Sequence, residues 1–156
     1  MAVAAERESE RPPYEAYAAI MAVFAGGLGL AGFAARVFDR NPACQSPLDF
    51  LVLSAASFKA ARTLARDEVT SFLREPFVQG EAHEGDEDPV ESGDLRQAVG
   101  ELVTCSRCGG TWAAAFLASS QILAPRFGRL LTWSLAAAGA NDFLQAAFAA
   151  LTRNES

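Results

Sequence analysis

Four apolar stretches alternate with charged ones along the chain. Residues 16–38 carry no charge before Arg36 and are long enough for a bilayer core, which takes roughly 20 apolar residues. Pro12-Pro13 ends the polar tail of residues 1–15, whose four glutamates outweigh its two arginines, unlike the basic start of a signal peptide. Residues 48–58 are apolar apart from Asp49 and small hydroxyls, and a helix should start near Pro47 with Ser46 as its N-cap. Lys59, Arg62 and Arg66 then form one helical stripe. This segment is either a second span, with Lys59 and Arg62 snorkelling, or a helix in the membrane surface. Residues 111–124 are uncharged and stop at Pro125; residues 130–151 form the last apolar run, broken by Asn141, Asp142 and Gln145. The two runs predict a C-terminal helical hairpin turning at 124–129. The expected fold is all-α: a small integral membrane protein with three to four membrane helices.

Charge sharpens this picture. The net charge is −6, and residues 81–94 hold seven acids without a Lys or Arg. Such a chain repels phosphate, which excludes nucleic acid as a partner. Residues 79–97 read as a mobile, solvated cytoplasmic loop, because they hold too little apolar surface to pack. Nine of the 13 basic residues fall on the side of residues 59–110 whether or not residues 48–65 span. The positive-inside rule therefore puts residues 59–110 in the cytoplasm of a multi-pass protein.

Candidate chemistry centres on Cys105 and Cys108, a CxxC followed by Gly109-Gly110 and an apolar helix. Free amides at a helix start, with Arg107 between the thiols, favour a thiolate. Three readings are open: a thiol–disulfide couple, a zinc half-site, or a packed turn at the membrane boundary. Zinc takes four ligands; Cys44 and His83, or a second CxxC in a dimer, would have to complete the set. Trp112 and Trp133 read as interfacial anchors. Asp142 needs a partner inside a span: Asn141, Gln145 or a basic residue of the second helix. Small residues at Ala18, Ala22 and Gly26, and at Ala25 and Gly29, offer a close-packing helix face.

Two boxes resemble a known family. Residues 58–77 contain Arg62, Asp67, Val69, Thr70, Leu73, Arg74, Pro76 and Phe77; Glu101, Leu102, Thr104, Cys105, Cys108 and Trp112 follow in order. This pattern, over roughly residues 48–150, is similar to that of the small bacterial and phage membrane proteins grouped as domain of unknown function 1360. Members carry Pro and an aromatic inside the CxxC, where this chain has Ser106 and Arg107, and Arg is common where Lys59 stands. The resemblance implies a bacterial inner-membrane location for residues 39–156 and transfers no activity. The leading expectation is a non-enzymatic structural or partner-binding protein, embedded in the lipid bilayer as a homo-oligomer or with a membrane protein partner, in which Arg62 and Arg74 pair with Asp67 and Glu101. The alternatives are a zinc-binding or thiol-redox protein using Cys105 and Cys108, and a channel- or holin-like oligomer.

Overall fold

The computed structural model describes residues 12–41, 46–80 and 87–153. They form six α-helices: α1 (Tyr14–Val37), α2 (Pro47–Arg66), α3 (Ser71–Arg74), α4 (Leu95–Thr104), α5 (Ser106–Leu123) and α6 (Pro125–Arg153). Single 3₁₀ turns at Glu68–Thr70 and Glu75–Phe77 flank α3. A two-residue ladder pairs β1 (Val78–Gln79) antiparallel with β2 (Asp88–Pro89). The all-α expectation holds apart from this ladder.

Local chemistry sets the helix ends. α1 closes at Asp39, whose φ of 50° is left-handed, and the Arg40 N–H bonds the Ala35 carbonyl at 2.7 Å, six residues on one (6→1), as in a Schellman end. α2 opens on the expected Ser46. The Ser46 hydroxyl accepts from the Asp49 N–H at 3.2 Å, and the Asp49 carboxylate accepts from the Ser46 N–H at 3.0 Å. This is a reciprocal capping box, with Pro47 in the first helical position. The acidic start of α4 follows the same logic, since the Asp94 carboxylate accepts from the Arg96 N–H at 2.8 Å. A bond from the Ser92 hydroxyl, and then this one from Arg96, hold the Asp94 carboxyl below its usual range.

The turn between α5 and α6 is tighter than the sequence predicts. Pro125 already begins α6, so Ala124 alone separates the two helices. Proline is preorganised for that first position, and the Gly128 N–H closes onto the Ala124 carbonyl at 2.8 Å.

The chain divides into two compact units, one combining residues through Leu30 with Ala61–Trp112, the other combining Ala31–Ala60 with Ala113–Ser156. In the second unit Ala56 of α2, Leu117 of α5 and Ala136 of α6 make a core, with Val52, Leu53, Leu131 and Leu135 packed on it. Buried Thr132 donates to the Gly128 carbonyl at 2.7 Å and accepts from the Gln121 amide at 2.9 Å. Asp142 meets Lys59 at 2.8 Å, the basic partner from the second helix. Gly139 makes room for that lysine: a Cβ there would sit 3.3 Å from the Lys59 Cβ. We expect Gly139→Leu to displace Lys59 and lower the thermal midpoint in detergent by several degrees, the effect of about 1–2 kcal/mol in a domain of this size.

Large apolar side chains lie mostly outside. Leu30, Phe33, Phe50, Leu51, Leu130, Phe143, Leu144, Phe148 and Leu151 are all exposed, whereas the buried apolar positions are alanines and Leu117. Among the described residues one helix, α1, is long and apolar enough to cross a membrane. The expectation of three to four such helices goes beyond this. α2 carries Asp49, Lys59, Arg62 and Arg66, and α6 carries Arg126, Arg129, Asp142 and Arg153, which dilute their apolar windows.

The acidic stretch also differs from its expected form. Residues 81–86, with His83, lie outside the described residues, but Glu87 is buried and Asp88–Pro89 pair with β1. The solvated-spacer expectation therefore does not extend to Glu87, which has a specific cationic partner.

Candidate functional site

The first unit is organised on Arg74. Its side chain is fully buried, and its guanidinium forks onto Glu87, with Nε at 2.6 Å from Oε2 and Nη2 at 2.9 Å from Oε1. The remaining nitrogen, Nη1, donates to the Leu64 carbonyl at 2.7 Å, the Asp67 carbonyl at 3.1 Å and the Thr70 hydroxyl at 2.9 Å. Arg74 thus satisfies carbonyls left open at the end of α2, where a cation also suits the helix dipole. Hydrogen bonding to Arg74 holds the Glu87 carboxyl below its ordinary value of 4.5, and the same bond raises Arg74. Thr70 completes the knot by donating to the Thr63 carbonyl at 2.6 Å.

This arrangement adds Glu87 to the expected charge pairing. Arg74 touches Asp67 through the backbone carbonyl, and its carboxylate partner is Glu87. Glu101 is held by neutral donors, with the Tyr17 hydroxyl at 2.5 Å from Oε2 and the Gln97 amide at 2.9 Å from Oε1. Arg62 is exposed on α2. Sequence reasoning missed Glu87 because six other acids share its window; the adjacent Pro89-Val90, an apolar break in the run, was the available signal. It missed Tyr17 because 84 residues separate that hydroxyl from Glu101.

α4 sits close to the loop before it at Gly100, where a Cβ would strike the Phe77 carbonyl and approach Pro89. That packing delivers the end of α4 to Cys105, the single non-helical residue before α5. Cys105 has an extended backbone (φ −90°, ψ 100°) and acts as the N-cap of α5, its Sγ accepting from the Cys108 N–H at 3.3 Å. The Cys108 thiol donates to the Cys105 sulfur, and both thiols are free. The Cys108 thiol and then its amide lower the Cys105 pKa below the ordinary 9.0, and the shared proton raises that of Cys108. The arrangement makes Cys105 the more acidic thiol of the pair.

We expect iodoacetamide to label Cys105 before Cys108 in the reduced protein, with a rate midpoint below pH 9.0. Cys108→Ala removes the donor and should move that midpoint up; an unchanged midpoint, read by peptide mass spectrometry across pH, would contradict the assignment.

Trp112 stands one turn further along α5, its ring edge-on to Phe24 of α1 with centroids 5.1 Å apart. Tyr17, Met21 and Phe24 of α1, Glu101 of α4, and Cys108 and Trp112 of α5 line a cavity of about 420 Å³. Its wall is mostly apolar, with the Tyr17–Glu101 pair and the Cys108 thiol as polar features. Among the described residues no group of three or more His, Cys, Asp or Glu side chains is placed to hold a metal. Cys44 and His83, the intrachain candidates for completing a zinc set, lie outside those residues.

Comparison with known proteins places these residues in a lineage. The chain is 34% identical over 99 residues to sporulation protein YjcA of Bacillus subtilis, covering 59% of this chain and 83% of the relative. It is 28% identical over 101 residues to UPF0713 protein YngL of the same organism, covering 64% and 78%. No solved structure gives a significant match. Residues 52–148, which include Arg74, Glu101 and both thiols, match the profile of the protein family of unknown function DUF1360, and the chain belongs to that family.

Proposed function

We propose that this family member is a multi-pass protein of the bacterial inner membrane that carries a cytoplasmic dithiol, cycling between two thiols and a disulfide. The geometry at Cys105 is the observation that carries the redox part. A thiol that caps a helix, accepts a hydrogen bond from its CxxC partner and lies within contact of that sulfur is set up for exchange. In the exchange the Cys105 thiolate attacks a disulfide, releasing one thiolate, and Cys108 then displaces the second while giving up its proton. The membrane part is supported by α1, by the outward-facing large apolar side chains and by the excess of basic residues on the side of 59–110. In this reading α1, the α5–α6 hairpin and, as a span or a surface helix, α2 lie in the bilayer.

The test is equilibration of the detergent-purified protein in glutathione redox buffers, followed by acid trapping and alkylation. The expected result is joint loss of both alkylation sites with one midpoint. Retention of both free thiols in pure glutathione disulfide would overturn the redox reading.

A structural or partner-binding role is the second reading, and the far end of α6 favours it. Residues 141–150 are exposed throughout, including Phe143, Leu144 and Phe148. Exposed apolar surface of that extent is met by lipid or by another protein. Loss of a defined oligomer in detergent on Phe148→Ser, with Cys105→Ser neutral, would favour this reading over the first.

A further inference from the structure

The dithiol has a neighbour that glutathione chemistry does not use: the cavity between α1, α4 and α5. We infer that this cavity binds the ring of a lipid-soluble quinone, which accepts the electron pair of Cys105 and Cys108. The inference rests on the dithiol reading above. Four features choose this occupant. The volume of about 420 Å³ is enough for a substituted six-membered ring. Phe24 and Trp112 line it in edge contact and offer aromatic surface to a flat ring. Cys108 opens into it while Cys105 stands behind at sulfur contact distance. Four of its residues, Tyr17, Ile20, Met21 and Phe24, belong to α1, the helix that is long and apolar enough to cross a bilayer, so an isoprenoid tail has an apolar surface to follow.

The reaction balances without another reagent. The Cys108 sulfur adds to a ring carbon, and its proton moves to the ring, giving a thioether-linked hydroquinone skeleton. The Cys105 thiolate attacks the Cys108 sulfur. The S–S bond forms as the C–S bond breaks, and the bonding pair returns to the ring, which takes one proton from solvent. Thiolate, thiol, quinone and one proton become disulfide and hydroquinone. Glu101, held by Tyr17 and Gln97, is the carboxylate at the polar wall of the cavity.

Decylubiquinone added anaerobically to the reduced, detergent-purified protein tests the idea. Hydroquinone formation is followed by absorbance, and remaining thiols are counted by alkylation. The expected result is one hydroquinone per disulfide, with a rate that saturates in quinone. Met21→Trp fills the cavity and should slow the reaction roughly tenfold or more, the order lost when a reacting ring is misplaced. Because that variant could misfold, a second measurement uses the Cys105→Ser/Cys108→Ser protein with Trp133→Phe. There the quinone should quench Trp112 fluorescence saturably without reacting. Non-saturating oxidation, or quenching no greater than that of free tryptophan, would overturn the quinone site. A cavity that takes only an acyl chain would give the same overturning result. If glutathione disulfide still oxidises the pair, the dithiol reading stands alone; if neither oxidant does, both fall.

Discussion

Arg74→Met should cost the folded protein about 3–5 kcal/mol, because it leaves the Glu87 carboxylate buried without its charge partner. The guanidinium and carboxylate are 0% and 3% exposed, so water cannot replace the lost bonds in place. The same substitution removes the guanidinium bonds to the Leu64 and Asp67 carbonyls at the end of α2 and leaves Thr70 as the donor to both. Thermal unfolding in mild detergent is the measurement, and a midpoint within a few degrees of the parent would refute the role given to the pair. Pairing Arg74→Met with Glu87→Met should do less harm than Arg74→Met alone, since the double replacement leaves no buried charge. Acid acts on the same bond. The Glu87 carboxyl sits below 4.5 when folded and returns to it when unfolded, so its contribution is complete above that pH. It is lost as pH falls from 4.5 through the folded value, and the Glu87→Gln protein should lack that component of acid destabilisation.

The second large effect belongs to the α5–α6 turn. Gly128→Ala should destabilise by about 3 kcal/mol, near the top of the overpacking range. The added Cβ would strike the backbone of Ser120 and Gln121, which cannot swing aside as a side chain could. Gly27→Ala in α1 is the internal contrast. Nothing lies within 4 Å of that Cβ, so it should stabilise by about 0.5–1 kcal/mol through helix propensity. Equal midpoints for the two variants would mean that the hairpin does not pack as closely as described.

These two sites also mark where sequence reading succeeds and where it stops. Prolines and apolar runs made α1, the Ser46-capped α2 and the hairpin legible, because helix starts depend on a few adjacent residues. The CxxC was equally visible, since its four-residue spacing is the geometry. The partners of Arg74 and Glu101 were not. Charge complementarity suggested pairing the two with each other and with Arg62 and Asp67, but it cannot choose among several acids at unknown distances. Glu87 prevails because the β1–β2 ladder carries it to the guanidinium, and a two-residue ladder leaves almost no periodic trace. The number of spans is harder to read for a related reason, and among the described residues α1 is the one helix long and apolar enough to cross a membrane. Apolar runs in α2 and α6 look continuous, yet Lys59 and Asp142 sit within them and neutralise each other at 2.8 Å.

The scarcity of large side chains in the interior predicts an inverted tolerance to mutation. Leu117 is the one large apolar side chain fully buried among the described residues, and the other buried apolar positions are alanines. Truncation therefore has few places to open a cavity. A saturation library of this chain should accept Leu, Phe and Val replaced by Ala at most positions. It should reject enlargement at Ala56, Ala61, Ala98, Gly100 and Gly128, the opposite of the profile of a water-soluble domain of the same length.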